Sequence, residues 1–224
     1  MDTCAGIGVM KVKRKIFGLR LPIAIFIILI LTFFSTGYLL IYFTLLRNLS
    51  EDGECISFET DFFRFKFPRN WYARAKWEND SLCIINMLTT EYDSFFGLIY
   101  YKSWEYTQSI FSGLDLRDGL LITTFEVNRF YGELHKRSQN ATLQFLRNGS
   151  LEISGYSATY TIFRIENVAA ENLQYNFTGI IIYFLTGRGA VEIVFYTWMD
   201  GVWEERYETF KAKILELLVI KHGA

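Results

Sequence analysis

FRFKFPRNWYARAKW, residues 63–77, carries the clearest structural signal in this 224-residue chain. Its first half alternates phenylalanine with basic residues, and a period of two is typical of a strand with one buried face. Pro68 ends that strand, because proline cannot donate a hydrogen bond to a sheet ladder. Arg69 and Asn70 supply a turn, and the alternation resumes from Trp71. The stretch therefore predicts an antiparallel hairpin.

Similar strand-like runs recur along the rest of the chain. They are rich in β-branched and aromatic residues and are bounded by glycine and polar residues, as strands usually are. The Asn148-Gly149 pair is the strongest short hairpin signal, and Gly187-Arg188-Gly189 marks a second turn. The runs predicted as strands are 82–88, 95–104, 142–146, 151–154, 158–166, 175–185 and 190–198.

Two segments have helical periodicity. In the first, 112–136, Ser112 and Asp115 fit a capping box, and apolar residues recur at spacings of three and four. The second begins after Asp200, which we expect to cap it. The faces predicted to be buried are Leu120, Thr124, Val127, Tyr131 and Leu134 in the first helix and Trp203, Tyr207, Phe210, Ile214 and Leu217 in the second.

Strand runs joined by hairpins, with few helices among them, indicate an α+β domain in which helices pack on an antiparallel β-sheet. The composition agrees, since aromatic residues make up 18% of the chain and only two prolines occur. Charge is unevenly distributed, with a net +4 over residues 1–20 and −5 over the remainder. An acidic domain argues against nucleic acid as a partner, because phosphate binding requires clustered Lys and Arg.

Residues 21–46, LPIAIFIILILTFFSTGYLLIYFTLL, contain no charged residue. A helix of roughly 20 residues crosses the ~30 Å hydrocarbon core of a bilayer, so this run is long enough to span it. Basic residues precede the run within 11–20, and acidic residues follow it within 51–54. The positive-inside rule then places the N-terminus in the cytosol and the domain outside the cell membrane.

A cleaved signal peptide is the alternative to this anchor, with Ser35-Thr36-Gly37 as a small-residue cleavage site. The apolar run continues to residue 46 beyond that site, which favours an uncleaved anchor. The lipid bilayer is then a partner of the chain, and a second membrane or surface protein remains open as another. The predicted segments are a cytosolic basic stub at 1–20, a transmembrane helix at 21–46, a linker at 47–56 and an extracytosolic domain at 57–224.

Placement outside the cytosol makes two kinds of covalent modification available. Cys55 and Cys83 can form a disulfide there, or Cys83 can remain a buried free thiol, and the sequence leaves both readings open. Asn-x-Ser/Thr acceptors for glycosylation also occur, and Asn48 lies too close to the predicted membrane to be reached. The remaining predicted glycosylation sites are Asn79, Asn140, Asn148 and Asn176.

The sequence FRFKFPRNW at 63–71 resembles the aromatic strand, ending in proline with a tryptophan nearby, of the family that groups PsbP with the Mog1-like and DcrB-like proteins. LEISGYSATY at 151–160 is similar to a family strand that runs into glycine and a small residue. A hairpin before a C-terminal amphipathic helix completes the likeness, which covers about residues 57–220. The resemblance implies an α/β/α sandwich with a membrane-attached, non-enzymatic binding or assembly role. It implies no catalytic residue.

The residues themselves show no motif of catalysis, metal binding or cofactor binding. His135 and His222 are the only histidines, too few for a cluster of metal ligands. The carboxylate pairs at 91 and 93 and at 204 and 205 fall in a loop and in a first helical turn, where acidic residues are common for other reasons. We therefore predict no catalytic, cofactor-binding or metal site, no cofactor and no enzymatic activity, and the small-molecule ligand is unknown.

Two functions remain open. The first is a membrane-tethered extracytosolic binding or assembly module. The alternative is a hydrolase or transferase with its site in the cleft of the sandwich. Convergent titratable groups in a cleft would favour the enzyme, whereas an exposed apolar patch beside the membrane would favour the binding module.

Overall fold

The computed structural model describes residues 55–170 and 173–221, together with the backbone of short strands at 15–16, 19–20 and 49–52. The chain divides into two units, Met1–Arg47 and Asn48–Ala224. In the first unit, β1 (Lys15–Ile16) and β2 (Leu19–Arg20) pair antiparallel. The predicted transmembrane helix at 21–46 lies outside the described residues. Within them, no helix has both the length and the apolarity to cross a membrane.

The second unit confirms the predicted α+β class, with antiparallel sheets and a few helices. Its helices are α1 (Trp104–Ile110), α2 (Gly119–His135) and α3 (Trp203–Phe210), and a π-helical turn at Lys211–Leu215 continues α3. Its strands are β3 (Leu49–Asp52), β4 (Cys55–Glu59), β5 (Phe63–Pro68), β6 (Trp71–Glu78), β7 (Leu82–Thr89), β8 (Ser94–Tyr101), β9 (Thr142–Ile153), β10 (Tyr156–Ala170), β11 (Leu173–Leu185), β12 (Ala190–Thr197) and β13 (Val219–Ile220).

These strands form a large sheet, β6-β7-β8-β12-β11-β10-β9, and a small sheet, β13-β5-β4-β3. The small sheet and α3 cover one face of the large sheet, where Phe65 packs on Phe96 and the ring of Phe210 stacks on Phe195 with centroids 4.5 Å apart. Helices α1 and α2 pack on the other face. The central strands of the large sheet are therefore buried on both faces and read as continuous apolar runs in the sequence.

The hairpin predicted at 63–77 is wrong in its pairing, although both strands exist. β5 pairs with β4 and β13 in the small sheet, whereas β6 pairs with β7 in the large sheet. The turn at Arg69 and Asn70 therefore carries the chain from one sheet to the other. The phenylalanines of β5 and Trp71 are all buried in the core between the two sheets. Alternation predicts which side of a strand is buried, but it does not identify the neighbouring strand.

The hairpin predicted at Asn148-Gly149 is also wrong, because β9 runs unbroken through both residues. Gly149 lies opposite Tyr160 of β10, and a β-carbon on Gly149 would collide with the Tyr160 hydroxyl. The turn comes later, at Ser154 and Gly155, which both have positive φ, 53° and 81°. Two consecutive left-handed residues suit a two-residue hairpin loop, so the β9–β10 connection forms there.

Both predicted helices exist, with different ends. Asp118, rather than the predicted Ser112, caps α2, and its carboxylate accepts a hydrogen bond from Leu121 N at 3.0 Å. Of the predicted buried face, Val127 is buried and Tyr131 and Leu134 pack beside it, whereas Leu120 is 41% exposed. Ile122 and Glu126, which the prediction left out, are buried. The predicted strand 95–104 ends earlier, because Ser103 caps α1.

At the C-terminal end, Asp200 does not cap α3, whose N-cap position is occupied by Val202. Asp200 instead accepts hydrogen bonds from the Asn176 amide. The π-helical turn after Phe210 changes the helical register, so Phe210 and Ile214 are buried as predicted while Leu217 is 41% exposed.

The segment predicted as a linker, 47–56, contains β3, which pairs with β4 in the small sheet. The sheet ladder therefore begins upstream of residue 57.

Candidate functional site

A cavity of about 400 Å³ lies between α2 and the large sheet, and we call it the α2 groove. Strands β8, β11 and β12 form its floor because their side chains on this face alternate with those that face the small sheet. Helix α2 supplies its charged wall. The lining residues are Ile99, Ile181, Glu192 and Val194 of the sheet and Glu126, Arg129, Phe130 and Glu133 of α2.

Glu192 is the most buried charged residue of the groove, with 1% of its surface exposed. It lies in the middle of β12 on the same face as Ala190 and Val194. The Tyr101 hydroxyl donates a hydrogen bond to Glu192 Oε2 at 2.8 Å. Burial, reinforced by the charge of Glu126, raises the pKa of Glu192 to about 8. The carboxyl group is therefore mostly protonated at neutral pH.

Glu126 is the second carboxylate of the groove and is 3% exposed. Its Oε2 atom forms an ion pair with Arg129, three residues later on α2, at 2.5 Å. Burial raises the pKa of Glu126 above its usual range, although the Arg129 charge opposes that shift. Its other oxygen, Oε1, is buried and has no hydrogen-bond partner among the described residues. The groove therefore contains an acceptor that the surrounding residues do not satisfy.

Tyr183 adds a further polar group, because it lies directly opposite Glu192 in the β11–β12 ladder. Its hydroxyl is buried and makes no hydrogen bond within the part of the chain that the structure describes. Burial raises the pKa of Tyr183, and the neighbouring charge of Glu192 adds to that rise. On the far side of its ring, Phe111 packs edge-on at 5.8 Å. Three carboxyls and a guanidinium thus line the groove, and two phenols lie beside it.

The predicted glycosylation sites are distributed over the surface and do not come together. Asn79, Asn140 and Asn148 are exposed. Asn176 is half-buried, and its amide donates to both carboxylate oxygens of Asp200 at 3.1 and 3.2 Å. Glycosylation of these four residues stays a prediction.

Cys55 and Cys83 are both free thiols in the structure. They belong to different sheets, Cys55 opposite Pro68 in the small sheet and Cys83 opposite Glu78 in the large one. The structure holds both residues as thiols, and the disulfide stays a prediction. Burial raises the pKa of Cys83 to about 11, so this side chain is a protonated thiol at neutral pH.

The carboxylate pair at 91 and 93 has a structural role. Asp93 is buried and accepts hydrogen bonds from Thr89, Ser94 and Arg206. This network ties α3 to the β7–β8 loop. The second pair, Glu204 and Glu205, is exposed in the first turn of α3, as the sequence indicated.

Of the two histidines, the structure describes His135. Nδ1 of His135 lies 3.2 Å from the Tyr131 hydroxyl, and His222 falls outside the described residues. Within the described ranges, no three His, Cys, Asp or Glu side chains are grouped as metal ligands.

Sequence reasoning missed the residues that make the groove, Glu126, Arg129, Glu192 and Tyr101. One signal was present, since Glu192 is the single charged residue in AVEIVFYT, a run predicted as a strand. A carboxylate inside a buried strand is expensive unless it is paired or protonated, so it marks a place where several polar groups must meet. The partners on α2 could not be found from the sequence, because Glu126 was not among the residues predicted to be buried.

Comparisons with known proteins identify the fold. No family model matches the chain, and no curated protein does. The solution structure of cyanobacterial PsbP from Synechocystis matches with a TM-score of 0.50 at 14% identity, covering 77% of this chain and 98% of that one. A crystal structure from Bacteroides thetaiotaomicron has a TM-score of 0.39 at 15% identity, with coverages of 72% and 46%. A protein of unknown function from Pseudomonas aeruginosa has a TM-score of 0.33 at 14% identity, with coverages of 71% and 92%. The likeness to the cyanobacterial protein shows a PsbP-like fold.

Proposed function

We propose that this protein is a non-catalytic binding module, tethered by residues 21–46 to the outer face of a membrane, and that it binds its ligand in the α2 groove. The observation that carries the proposal is the composition of the groove. Three aliphatic side chains form its floor, and charged groups converge on one wall. Small-molecule sites are commonly clefts of about 300–1,000 Å³ with mostly apolar walls and a few placed polar groups. The groove falls within that range.

Methyl NMR of the full chain in lipid nanodiscs tests the binding site. In a screen of small polar fragments, we expect binders to shift the methyl signals of Ile99 and Ile181, which line the groove. The methyl signals of Ile153 and Ile220 serve as controls, because both residues are buried in the core on the other face of the large sheet. Binders that shift only the control signals would contradict the proposal.

The tether and its orientation are tested in the cell. We expect the full chain to stay in the membrane fraction after an alkaline carbonate wash and a chain lacking 1–46 to leave it, because only the first contains the apolar run. In a glycosylating host, removal of N-glycans should increase the mobility of the full chain on a gel. The variant with Asn79, Asn140, Asn148 and Asn176 all changed to Gln should show no such shift. Release of the full chain by carbonate would refute the tether.

A hydrolase or transferase is the second candidate, and one observation favours it. Glu192 retains its proton near neutral pH while Glu126 lies in the same groove, and such pairs of carboxyl groups serve acid–base catalysis elsewhere. An activity against glycosides or esters that falls at least about a hundredfold in Glu192→Gln would establish this function. The binding module predicts that no such activity is found.

A further inference from the structure

We propose that the α2 groove binds an organic ammonium ion, a primary amine that carries a short apolar group. This inference rests on the proposed function, because it identifies the ligand of the same groove. Three properties of the groove lead to it: an unpaired acceptor, two carboxyl groups close enough for the charge of one to keep the other protonated, and an aliphatic floor.

The unpaired acceptor is Glu126 Oε1. It is buried, its residue is 3% exposed, and it has no hydrogen-bond partner within the described part of the chain. Leaving a buried acceptor unpaired is costly, so a ligand that brings an N–H or O–H donor to this atom gains the bond without breaking another. Oε2 of the same residue is already held by Arg129. Glu126 lines the groove, so a small rotation of its side chain would present Oε1 to a donor bound there.

The charge distribution distinguishes a cation from a neutral donor. The negative charge of Glu126 disfavours the ionised form of Glu192. Arg129 is the cation among the lining residues, and about half of its side chain is exposed to solvent. Glu133 at the rim is paired with Lys136. An alcohol could also donate to Oε1, but a cation adds attraction to the Glu126 charge and favours the ionised form of Glu192 beside it. An anionic ligand would be repelled by Glu126, whose own partner Arg129 is already engaged by Oε2.

The remaining surface of the groove is aliphatic, formed by Ile99, Ile181 and Val194. A fully hydrated inorganic cation gains nothing from such a floor, whereas an alkyl group beside the ammonium buries apolar surface there. The ring of Phe130 also lines the groove and packs against Phe163 and Tyr196. The volume of about 400 Å³ accommodates a small organic amine.

Binding of a cation should be linked to release of a proton from Glu192. The groups that face Glu192 are Tyr101 on β8, Tyr183 on β11, and Glu126 and Arg129 on α2. The pKa of Glu192 is about 8, and an ammonium ion bound beside it favours the ionised carboxylate and lowers that value. Affinity should therefore rise with pH between 6 and 8, by at most about tenfold per pH unit.

The experiment uses the full chain in phosphatidylcholine nanodiscs, titrated with n-butylamine and with n-butanol as the matched neutral probe. At pH 8 we expect n-butylamine to shift the Ile99 and Ile181 methyl signals with an affinity at least about tenfold above that of n-butanol. Glu126→Gln should lower the affinity for the amine about tenfold or more, and Glu208→Gln, exposed on α3, should leave it unchanged. The affinity of Glu192→Gln for the amine should not rise between pH 6 and 8.

The outcomes separate this inference from the proposed function. Equal affinity for n-butylamine and n-butanol would overturn the ammonium ligand and leave the groove as a binding site. Absence of Ile99 and Ile181 shifts with either probe would overturn both. If Glu126→Gln fails to fold, the pH dependence of amine affinity in Glu192→Gln still tests the inference. A rise in affinity between pH 6 and 8 equal to that of the wild type would refute the link between amine binding and proton release from Glu192. Addition of phosphatidylethanolamine to the discs identifies the source: competition with n-butylamine points to the lipid headgroup, and no competition points to a soluble amine.

Discussion

At the scale of single residues, the domain keeps two buried carboxyl groups in opposite states. Asp93 is held ionised, since hydrogen bonds from Ser94, Arg206 and Thr89 outweigh the effect of burial and lower its pKa. Glu192 has one hydrogen bond from Tyr101 and a negative neighbour, and its pKa rises to about 8. The number of donors around each group, rather than burial alone, therefore sets its charge.

Glu192→Gln should remove a pH dependence of stability. The pKa of Glu192 is about 8 in the folded protein and 4.5 in the unfolded reference. Its contribution to stability is therefore full below pH 4.5 and is lost as pH rises through 8, by at most about 1.4 kcal/mol per pH unit. We expect the variant to gain stability over the wild type between pH 5 and 8 in urea unfolding. A constant difference across that range would contradict this, and Glu208→Gln is the control.

Asp93→Asn should destabilise the domain at neutral pH. The change leaves Arg206, whose Nε and Nη2 atoms both donate to Asp93 Oδ2, without its buried acceptor charge. Loss of one partner of a buried ion pair costs about 3–5 kcal/mol, and Arg206 is partly exposed, so we expect about 2–4 kcal/mol. Glu91→Gln is the matched control, since Glu91 lies 3.8 Å from Arg206 and is half exposed. Equal effects of the two changes in denaturant unfolding would refute the role of Asp93.

At the scale of elements, the β11–β12 turn is tied to the groove. Thr186 N donates to Gly189 O at 2.9 Å, and the Thr186 hydroxyl accepts from Gly189 N at 3.1 Å. A β-carbon on Gly189 would collide with the carbonyl oxygen of Tyr101, the residue that holds Glu192. By contrast, a β-carbon on Gly187 would meet nothing within 4 Å.

Gly189→Ala should therefore destabilise the domain and disturb the Tyr101–Glu192 hydrogen bond, whereas Gly187→Ala should not. Overpacking of this kind costs about 1–3 kcal/mol, against about 0.5 kcal/mol or less for the open position. Thermal unfolding of both variants measures the difference. The methyl signal of Ile99, opposite Glu192 in the ladder, should move in Gly189→Ala alone. An equal loss of stability in the two variants would show that the contact between residue 189 and the Tyr101 carbonyl oxygen does not require glycine there.

Elements were predictable to the extent that local chemistry determines them. The alternating phenylalanines of β5 and the spacing of Phe210 and Ile214 gave the right structure and the right buried side. Pairing was not predictable, since β5 and β6 are consecutive and lie in different sheets. The β9–β10 turn was misplaced because Asn148-Gly149 carries a turn signal that Tyr160 overrides by packing against Gly149. The groove could not be predicted because it depends both on which strands pair and on which residues of α2 face the sheet.

At the scale of the whole molecule, residues 48–224 form a unit with a core of their own. We expect a chain that starts at Asn48 to fold by itself and to unfold cooperatively, with a midpoint within a few degrees of that of the full chain. The measurement is circular dichroism against temperature for both chains. The matched control starts at residue 60 and lacks β3 and β4, two strands of the small sheet. It should unfold at lower temperature or fail to fold, and failure of the longer chain would contradict the prediction.

The pairing of β13 with β5 has a consequence for synthesis. Lys221 Nζ donates to the carbonyl oxygen of Thr60, 161 residues earlier, and the Lys221 backbone donates to Phe62 O. While the ribosome is translating the large sheet, β5 has already emerged, and its phenylalanines have neither β13 nor α3 to cover them. Phe96 and Phe195 of the large sheet likewise lack their contact with Phe210 until α3 has emerged. The nascent domain therefore keeps part of its aromatic core uncovered during that interval, when it is open to chaperones and to aggregation.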